Sequence, residues 1–198
     1  MRVMVVYAHP VETSFNAAIY ATVTETLKQR GHEIDACDLY AENFPAIMSR
    51  ADRLLYHEIP ANRALARPWI ERLEAAEALV MVFPTWVFAP PAILKGFCEK
   101  VFVPGFAFEL VDGKVRGAMR HLKRVGGVST YGGTRLRAFL AGDPPRKLLT
   151  RVLRAYVGPA VPVSFMGCYD MNRIDEARGR AFLDKVRQIA DGAPCPTG

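Results

Sequence analysis

The sequence predicts an α/β fold, a three-layer sandwich in which helices cover both faces of a five-stranded parallel sheet. Three observations carry that expectation. Strand-like and helix-like segments alternate along all 198 residues, as units of strand, crossover helix and strand require. The third apolar run, Ala78-Leu79-Val80-Met81-Val82-Phe83, is unbroken, the pattern of a parallel strand buried on both faces. The first run, Val3-Met4-Val5-Val6-Tyr7-Ala8, stops at His9-Pro10, and a helix-spaced series begins a few residues later.

In that series Phe15, Ala18, Ile19, Thr22, Val23, Thr26 and Leu27 recur at helical spacing until Arg30-Gly31 ends it. Glu33 to Leu39 reads as the second strand, followed by an irregular stretch around Asn43-Phe44-Pro45. Residues 51–77 carry helical signal, with breaks expected near Pro60 and at Pro68. After the third strand, Pro91 to Phe102 is a helix with stripes Ile93/Phe97/Val101 and Leu94/Cys98/Phe102. Phe106 to Val115, turning at Asp112-Gly113, reads as a hairpin beside the sheet. Leu122 to Ser129 is the fourth strand, Pro144 to Tyr156 a helix, Ala160 to Cys168 the fifth strand, and Ile174 to Ala190 the last helix. There is no repeat, linker or low-complexity tract, so residues 1–198 read as one domain.

Composition narrows the function classes. An apolar share of 51% fits a packed core. Cys37, Cys98, Cys168 and Cys195 show no paired or metal-like spacing and the histidines are scattered, which reads as reduced thiols in a cytoplasmic protein without a metal site. The apolar run before His9 is too short for a secretory signal. The uncharged stretch Ala78 to Leu94 is cut by Pro84, Pro90 and Pro91, so no membrane span is expected. The net charge of +6 is uneven, because from Lys114 to Tyr169 every charged residue except Asp143 is Lys or Arg. A solvated basic face accounts for most of them. Attraction of an anionic cofactor such as NADPH is the sharper reading, with Arg135 and Arg137 placed to meet its 2′-phosphate. No aromatic-interleaved motif accompanies the charge, so a nucleic-acid partner is not expected.

In an open parallel sheet, ligands sit at the carboxyl ends of the strands, which singles out three loops. The first, His9 to Asn16, gathers backbone N–H groups at a helix start, with the imidazole of His9, the hydroxyls of Thr13 and Ser14, and the amide of Asn16. Such a turn suits a nucleotide or flavin phosphate. An ordinary capped helix uses the same residues, so the turn alone leaves both readings open. The second loop, Pro84-Thr85-Trp86-Val87-Phe88-Ala89-Pro90-Pro91, offers N–H groups to the polar edge of a flavin and Trp86 or Phe88 to its face. The third, Ser129-Thr130-Tyr131-Gly132-Gly133-Thr134, has paired glycines that permit close approach of a planar ligand and positive φ. Core packing explains the aromatics taken alone, and a turn the glycines. Three such loops at one sheet edge favour a bound planar ring.

Tyr7-Ala8-His9-Pro10 with Ser14-Phe15-Asn16, Phe83-Pro84 through Pro91-Ala92-Ile93-Leu94-Lys95-Gly96-Phe97 and Val101-Phe102, and Gly105-Phe106-Ala107-Phe108 together resemble the flavodoxin-like NAD(P)H:quinone oxidoreductases. These are the diaphorase type, with relatives that regulate potassium efflux. The resemblance implies a flavodoxin-like fold with strand order 2-1-3-4-5, a homodimer, and FAD, or alternatively FMN, reduced by NAD(P)H and reoxidised by a quinone or similar acceptor. It implies that His9, Thr13, Ser14, Phe15 and Asn16 hold the flavin phosphates. Pro84, Thr85, Trp86, Val87 and Phe88, with Thr130, Tyr131, Gly132 and Gly133, would border the ring, and Arg178 would lie near the distal part of the cofactor. Phe88, Phe106 and Phe108 would line the substrate pocket, the last two from across a dimer interface.

There are departures. A tyrosine and a histidine that relay charge in the animal enzymes are replaced here by Arg135 and Ala141, and Phe108 stands where those enzymes carry a tyrosine. The chemistry is thus expected to belong to the flavin itself, with Tyr131 and Gly132 the nearest protein groups. Two alternatives are a flavoprotein regulatory subunit of a potassium-efflux transporter and a flavodoxin-like electron carrier; the basic charge fits the carrier poorly. A phospho-receiver is disfavoured because the third strand ends in Phe83-Pro84 and not in Asp.

Overall fold

The computed structural model describes residues 1–190; Cys195 lies outside the described residues. Strands β1 (Arg2–Tyr7), β2 (Glu33–Asp38), β3 (Ala78–Pro84), β6 (Arg124–Thr130) and β7 (Val163–Cys168) form one parallel sheet in the order β2-β1-β3-β6-β7. Strands β4 (Phe108–Val111) and β5 (Lys114–Gly117) pair antiparallel as a separate hairpin. Leaving the hairpin out of the count, the order is the expected 2-1-3-4-5.

Alternation along β1 sends side chains to two cores. Met4, Val6 and Ala8 face one layer, with Leu79, Met81 and Phe83 of β3, and meet helices α3 (Arg67–Ala75) and α4 (Ala92–Val101). Val3, Val5 and Tyr7 face the other, against Ile19, Val23 and Leu27 of α1 (Phe15–Gln29) and Val186 of α8 (Glu176–Ala190).

Several boundaries differ from expectation for local reasons. The helical region before β3 is three pieces: α2 (Arg50–Leu55), a 3₁₀ segment (Ala61–Ala66) and α3. Ser49 and Asp52 form a reciprocal capping box at the start of α2. Pro68 does not break a helix; it sits in the first turn of α3, where a missing N–H costs nothing. The hairpin is shifted toward Gly117 and turns at Asp112-Gly113, both with positive φ. A short helix, α5 (Arg135–Leu140), follows β6 unforeseen, capped by the Thr134 hydroxyl. The next helix is α6 (Pro144–Lys147), a π segment (Leu148–Leu153) and α7 (Arg154–Val157). The fifth sheet strand begins at Val163, after Pro162 has accepted a hydrogen bond from Val125.

The middle of β6 is Gly126-Gly127. A Cβ on Gly127 would lie 2.4 Å from Cδ2 of Leu149, so the absence of a side chain lets the π segment sit directly on the strand. Cys37, Cys98 and Cys168 are buried free thiols, and burial pushes the Cys98 thiol up to about 12. Among the described residues, no helix is long and apolar enough to cross a membrane.

Candidate active site at the carboxyl edge of the sheet

The first loop leaves β1 at Tyr7, and Ala8 N–H bonds Val82 O at 3.0 Å, holding the loop against β3. His9 Nδ1 accepts from the Val11 N–H at 3.1 Å, which leaves Nε2 as the outer ring nitrogen. Ser14 caps α1: its Oγ accepts from Ala17 N–H at 3.1 Å and lies 3.5 Å from the Tyr7 hydroxyl. Burial, ahead of its other influences, raises the Tyr7 pKa, so that hydroxyl stays protonated. The N–H groups of Phe15 and Asn16, in the open first turn, meet no protein acceptor among the described residues. The Phe15 ring leans on Phe182 of α8 at 6.2 Å, and Thr13 is exposed. Asn16 is buried. Its Nδ2 donates to Thr130 Oγ1 at 2.8 Å, while its Oδ1 is buried with no hydrogen-bond partner.

The second loop is tied to the third before it projects. Pro84 pairs with Thr130 in the sheet, Thr85 N–H donates to Thr130 O at 2.7 Å, and the Thr85 and Ser129 hydroxyls are 3.0 Å apart. Trp86 and Ala89 then exchange both backbone hydrogen bonds, at 3.0 and 2.9 Å, around a two-residue turn. Its central residues have φ of 50° at Val87 and 57° at Phe88, the signs of a type I′ turn. Glycine and asparagine normally occupy such positions, and a β-branched residue there is an outlier. Val87 gains no burial in return at 97% exposure, and Phe88 is only half buried at 48%. The N–H groups of Thr85 and Trp86 are used internally, and those of Val87 and Phe88 meet no protein acceptor among the described residues. The Trp86 ring lies 5.8 Å from the His9 ring, joining the first and second loops.

In the third loop Tyr131 N–H bonds Cys168 O at 2.7 Å, and Gly133 O accepts from Asp170 N–H at 2.8 Å. Gly132 and Gly133 do not use the positive φ that glycine permits. Their N–H groups meet no protein acceptor among the described residues. The Tyr131 side chain is buried. Its ring stacks on Tyr169 at 4.5 Å and its hydroxyl donates to Asp143 Oδ1 at 2.7 Å. Burial and then that hydrogen bond push the Tyr131 pKa far up, so the phenol is a fixed donor and no proton shuttle. Asp143, which composition marks only as the lone acid of a basic stretch, also caps α6 from a left-handed conformation. Its backbone geometry has no signal in the sequence beyond the preceding Gly142.

The structure therefore brings His9, Ser14, Asn16, Thr85, Trp86 and Thr130 together, with Thr130 as the common node. It does not bring Phe106 and Phe108 to them. Both rings are buried in this chain, at 5% and 7% exposure. Phe106 lies under the Arg63 guanidinium at 5.2 Å, and Phe108 stacks on Tyr156 at 5.6 Å. Within one chain these two rings pack on Arg63 and Tyr156 and make no contact with the three loops. Arg178 stands at the start of α8 with its guanidinium committed to the carbonyls of Arg173 at 3.1 Å and Tyr169 at 3.4 Å. A cleft of about 250 Å³ lined by Met48, Arg53, Tyr56, His57 and Glu99 involves none of the three loops.

These features fit a flavin. Open N–H pairs at Phe15/Asn16, Val87/Phe88 and Gly132/Gly133 lie on the three loops that Thr130 ties together, and the orphaned Asn16 amide oxygen leaves a buried polar atom for a ligand donor to satisfy.

The profile of the flavodoxin-like fold matches residues 1–188. Rat NAD(P)H dehydrogenase (quinone) 1 is 35% identical over 147 residues, 66% of this chain and 54% of its own length. Human ribosyldihydronicotinamide dehydrogenase (quinone) is 30% identical over 125 residues, 55% of this chain and 54% of its own. The chain thus spans about half the length of these curated relatives. The crystal structure of Smu.1420 from Streptococcus mutans UA159 superimposes with a TM-score of 0.84 at 26% identity, covering 97% of this chain and 100% of that one. With the strand order and the profile match in agreement over nearly the whole described length, the chain belongs to the flavodoxin-like fold family.

Proposed function

We propose that this chain is a flavin-dependent NAD(P)H:quinone-type oxidoreductase. The observation that carries the reading is the knot at Thr130. Through its backbone and hydroxyl it ties the second loop and Asn16 of the first loop to the third, so that three loops carrying open N–H groups are held together at one edge of the sheet. The identity to the rat quinone dehydrogenase supports the same chemistry. When bound, the flavin supplies hydride transfer from NAD(P)H to a quinone-like acceptor. The protein's part is to bind and orient. Ser14, Phe15 and Asn16 at the start of α1 would hold the flavin phosphate, with the helix dipole favouring the charge. The Val87, Phe88, Gly132 and Gly133 N–H groups would hold the polar edge of the ring, where their fixed dipoles would stabilise negative charge. No side-chain acid or base is assigned, since Arg135 and Ala141 occupy the expected relay positions and Tyr131 is held by Asp143.

The site itself does not favour FAD over FMN, because Arg178 is committed to the carbonyls of Arg173 and Tyr169. A homodimer would draw on Trp86 and Phe88 but not on Phe102, Phe106 and Phe108, which this chain buries by itself. The test is the visible absorbance of the protein reconstituted with FAD and with FMN, the mass of the retained flavin, and NAD(P)H oxidation with a benzoquinone. Retention of neither flavin would overturn the reading. Flavin retention without quinone-dependent NAD(P)H oxidation would restrict it to flavin binding.

A further inference from the structure

We propose that helix α5 is a docking surface for an anionic lipid bilayer. In α5 the only buried side chain is Ala138. Leu136, Phe139 and Leu140, at spacing i, i+3, i+4, are 66%, 73% and 74% exposed. A helix on a protein surface normally turns such a stripe inward; here the small residue faces the protein and the three large apolar ones face out. Arg135 and Arg137 flank the stripe, and Arg146 and Lys147 of α6 stand just beyond the Gly142 turn, where Lys147 Nζ would lie 3.5 Å from a Cβ at Gly142. Arg137, Arg146 and Lys147 form no ion pair among the described residues. The one acid of the segment, Asp143, faces inward to the Tyr131 hydroxyl and the Arg146 N–H.

This charge pattern selects the occupant. A second copy packed on α5 about a two-fold axis would set these cations against their own mates, which costs affinity. The headgroup region of an anionic bilayer accommodates both halves of the pattern. Leu136, Phe139 and Leu140 enter the acyl boundary while the basic heads reach lipid phosphates on their long stems. Helix α5 follows the Gly132-Gly133 loop directly, so docking would bring the carboxyl edge of the sheet to the membrane surface, where an apolar acceptor dissolves. That last consequence rests on the quinone reading; the docking does not.

Flotation of the full chain with vesicles of phosphatidylglycerol and phosphatidylcholine, against phosphatidylcholine alone, tests it without any turnover measurement. Binding to the anionic vesicles, weakened by salt, is expected. Phe139→Ser/Leu140→Ser should lower it at least ~10-fold through lost apolar burial. Arg146→Gln/Lys147→Gln should lower it roughly 30-fold, from about 1 kcal/mol per cation at such a surface. Circular dichroism establishes that both variants are folded. Absence of binding to anionic vesicles, or undiminished binding by folded Phe139→Ser/Leu140→Ser, overturns the proposal. So does light scattering that shows this variant converting a dimer to a monomer, which would assign the face to a second copy.

Discussion

Val87→Gly is expected to stabilise the protein although it deletes a side chain. In the native turn Val87 holds φ at 50° and is 97% exposed, so its isopropyl group contributes almost no burial while its Cβ suffers the clash of the left-handed conformation. For an L-residue that clash costs roughly 1–2 kcal/mol. Glycine removes it but adds about 0.5–1 kcal/mol of unfolded-state entropy. The balance is a gain of roughly 0.5–1 kcal/mol, which in a chain of this size raises the melting temperature by about 1–4 °C. Differential scanning calorimetry of the flavin-free protein measures this, and Val87→Asn, whose side chain tolerates the same region, should move in the same direction. A melting temperature below wild type for both variants would refute the reasoning, because the turn would then not be strained. Strain of this kind persists where a function requires the shape, so flavin retention by Val87→Gly should fall even as its stability rises.

Two other perturbations probe the clamp and the outer face. Asn16→Asp keeps a partner in the Thr130 hydroxyl and sits at a helix start that tolerates an anion, so the fold should survive. Against a phosphate at about 4 Å and an effective dielectric near ~20, the raw repulsion is about 4 kcal/mol, and screening to half of that still weakens flavin binding roughly 30-fold; an affinity within about twofold of wild type by equilibrium dialysis would remove Asn16 from the site. Asp52 and Lys100 form a buried pair at 3.2 Å. Burial alone would raise the Asp52 carboxyl, but hydrogen bonds with Ser49 and the Lys100 ammonium outweigh it and hold the pKa below 3.8. A depressed folded value means that the pair's stability is complete above 3.8 and lost as pH falls through the lower folded value. Urea unfolding should therefore show a steeper acid loss in wild type than in Asp52→Asn, and equal slopes would contradict the assignment. Lys100→Met, which leaves the carboxylate buried alone, should cost about 3–5 kcal/mol at neutral pH.

The parallel sheet was legible because β1 and β3 are written almost wholly in apolar residues, and strands alternating with helices cover both faces of such a sheet. The three loops were legible for a related reason, since parallel topology dictates where ligands sit. What escaped were features set by contacts distant in sequence. Helix α5 has an apolar stripe that faces solvent, so its pattern reads as neither core nor loop. The committed hydroxyl of Tyr131 depends on Asp143 arriving from a later turn. Motif position places Phe106 and Phe108 at a substrate pocket but carries no sign that, within one chain, Arg63 and Tyr156 pack on them. Positive φ, which the glycines of the third loop permit, occurs instead at Val87 and Phe88, where residue type argues against it.

The paired glycines of β6 bear on the order in which the molecule assembles. A strand with Gly126-Gly127 at its centre has little intrinsic tendency to extend. It is held by register with β3 and β7 and by Leu149 resting on the bare backbone. Its partners are far away in sequence, and contacts of long separation form late. The loop carrying Thr130, Gly132 and Gly133 hangs from that strand, so the ligand cradle should be among the last features to appear during folding. A flavin recognising the finished cradle would then leave the refolding rate nearly unchanged and act by slowing unfolding. Bound cofactor would serve as a kinetic lock on the native state, and stopped-flow unfolding with and without flavin would reveal it.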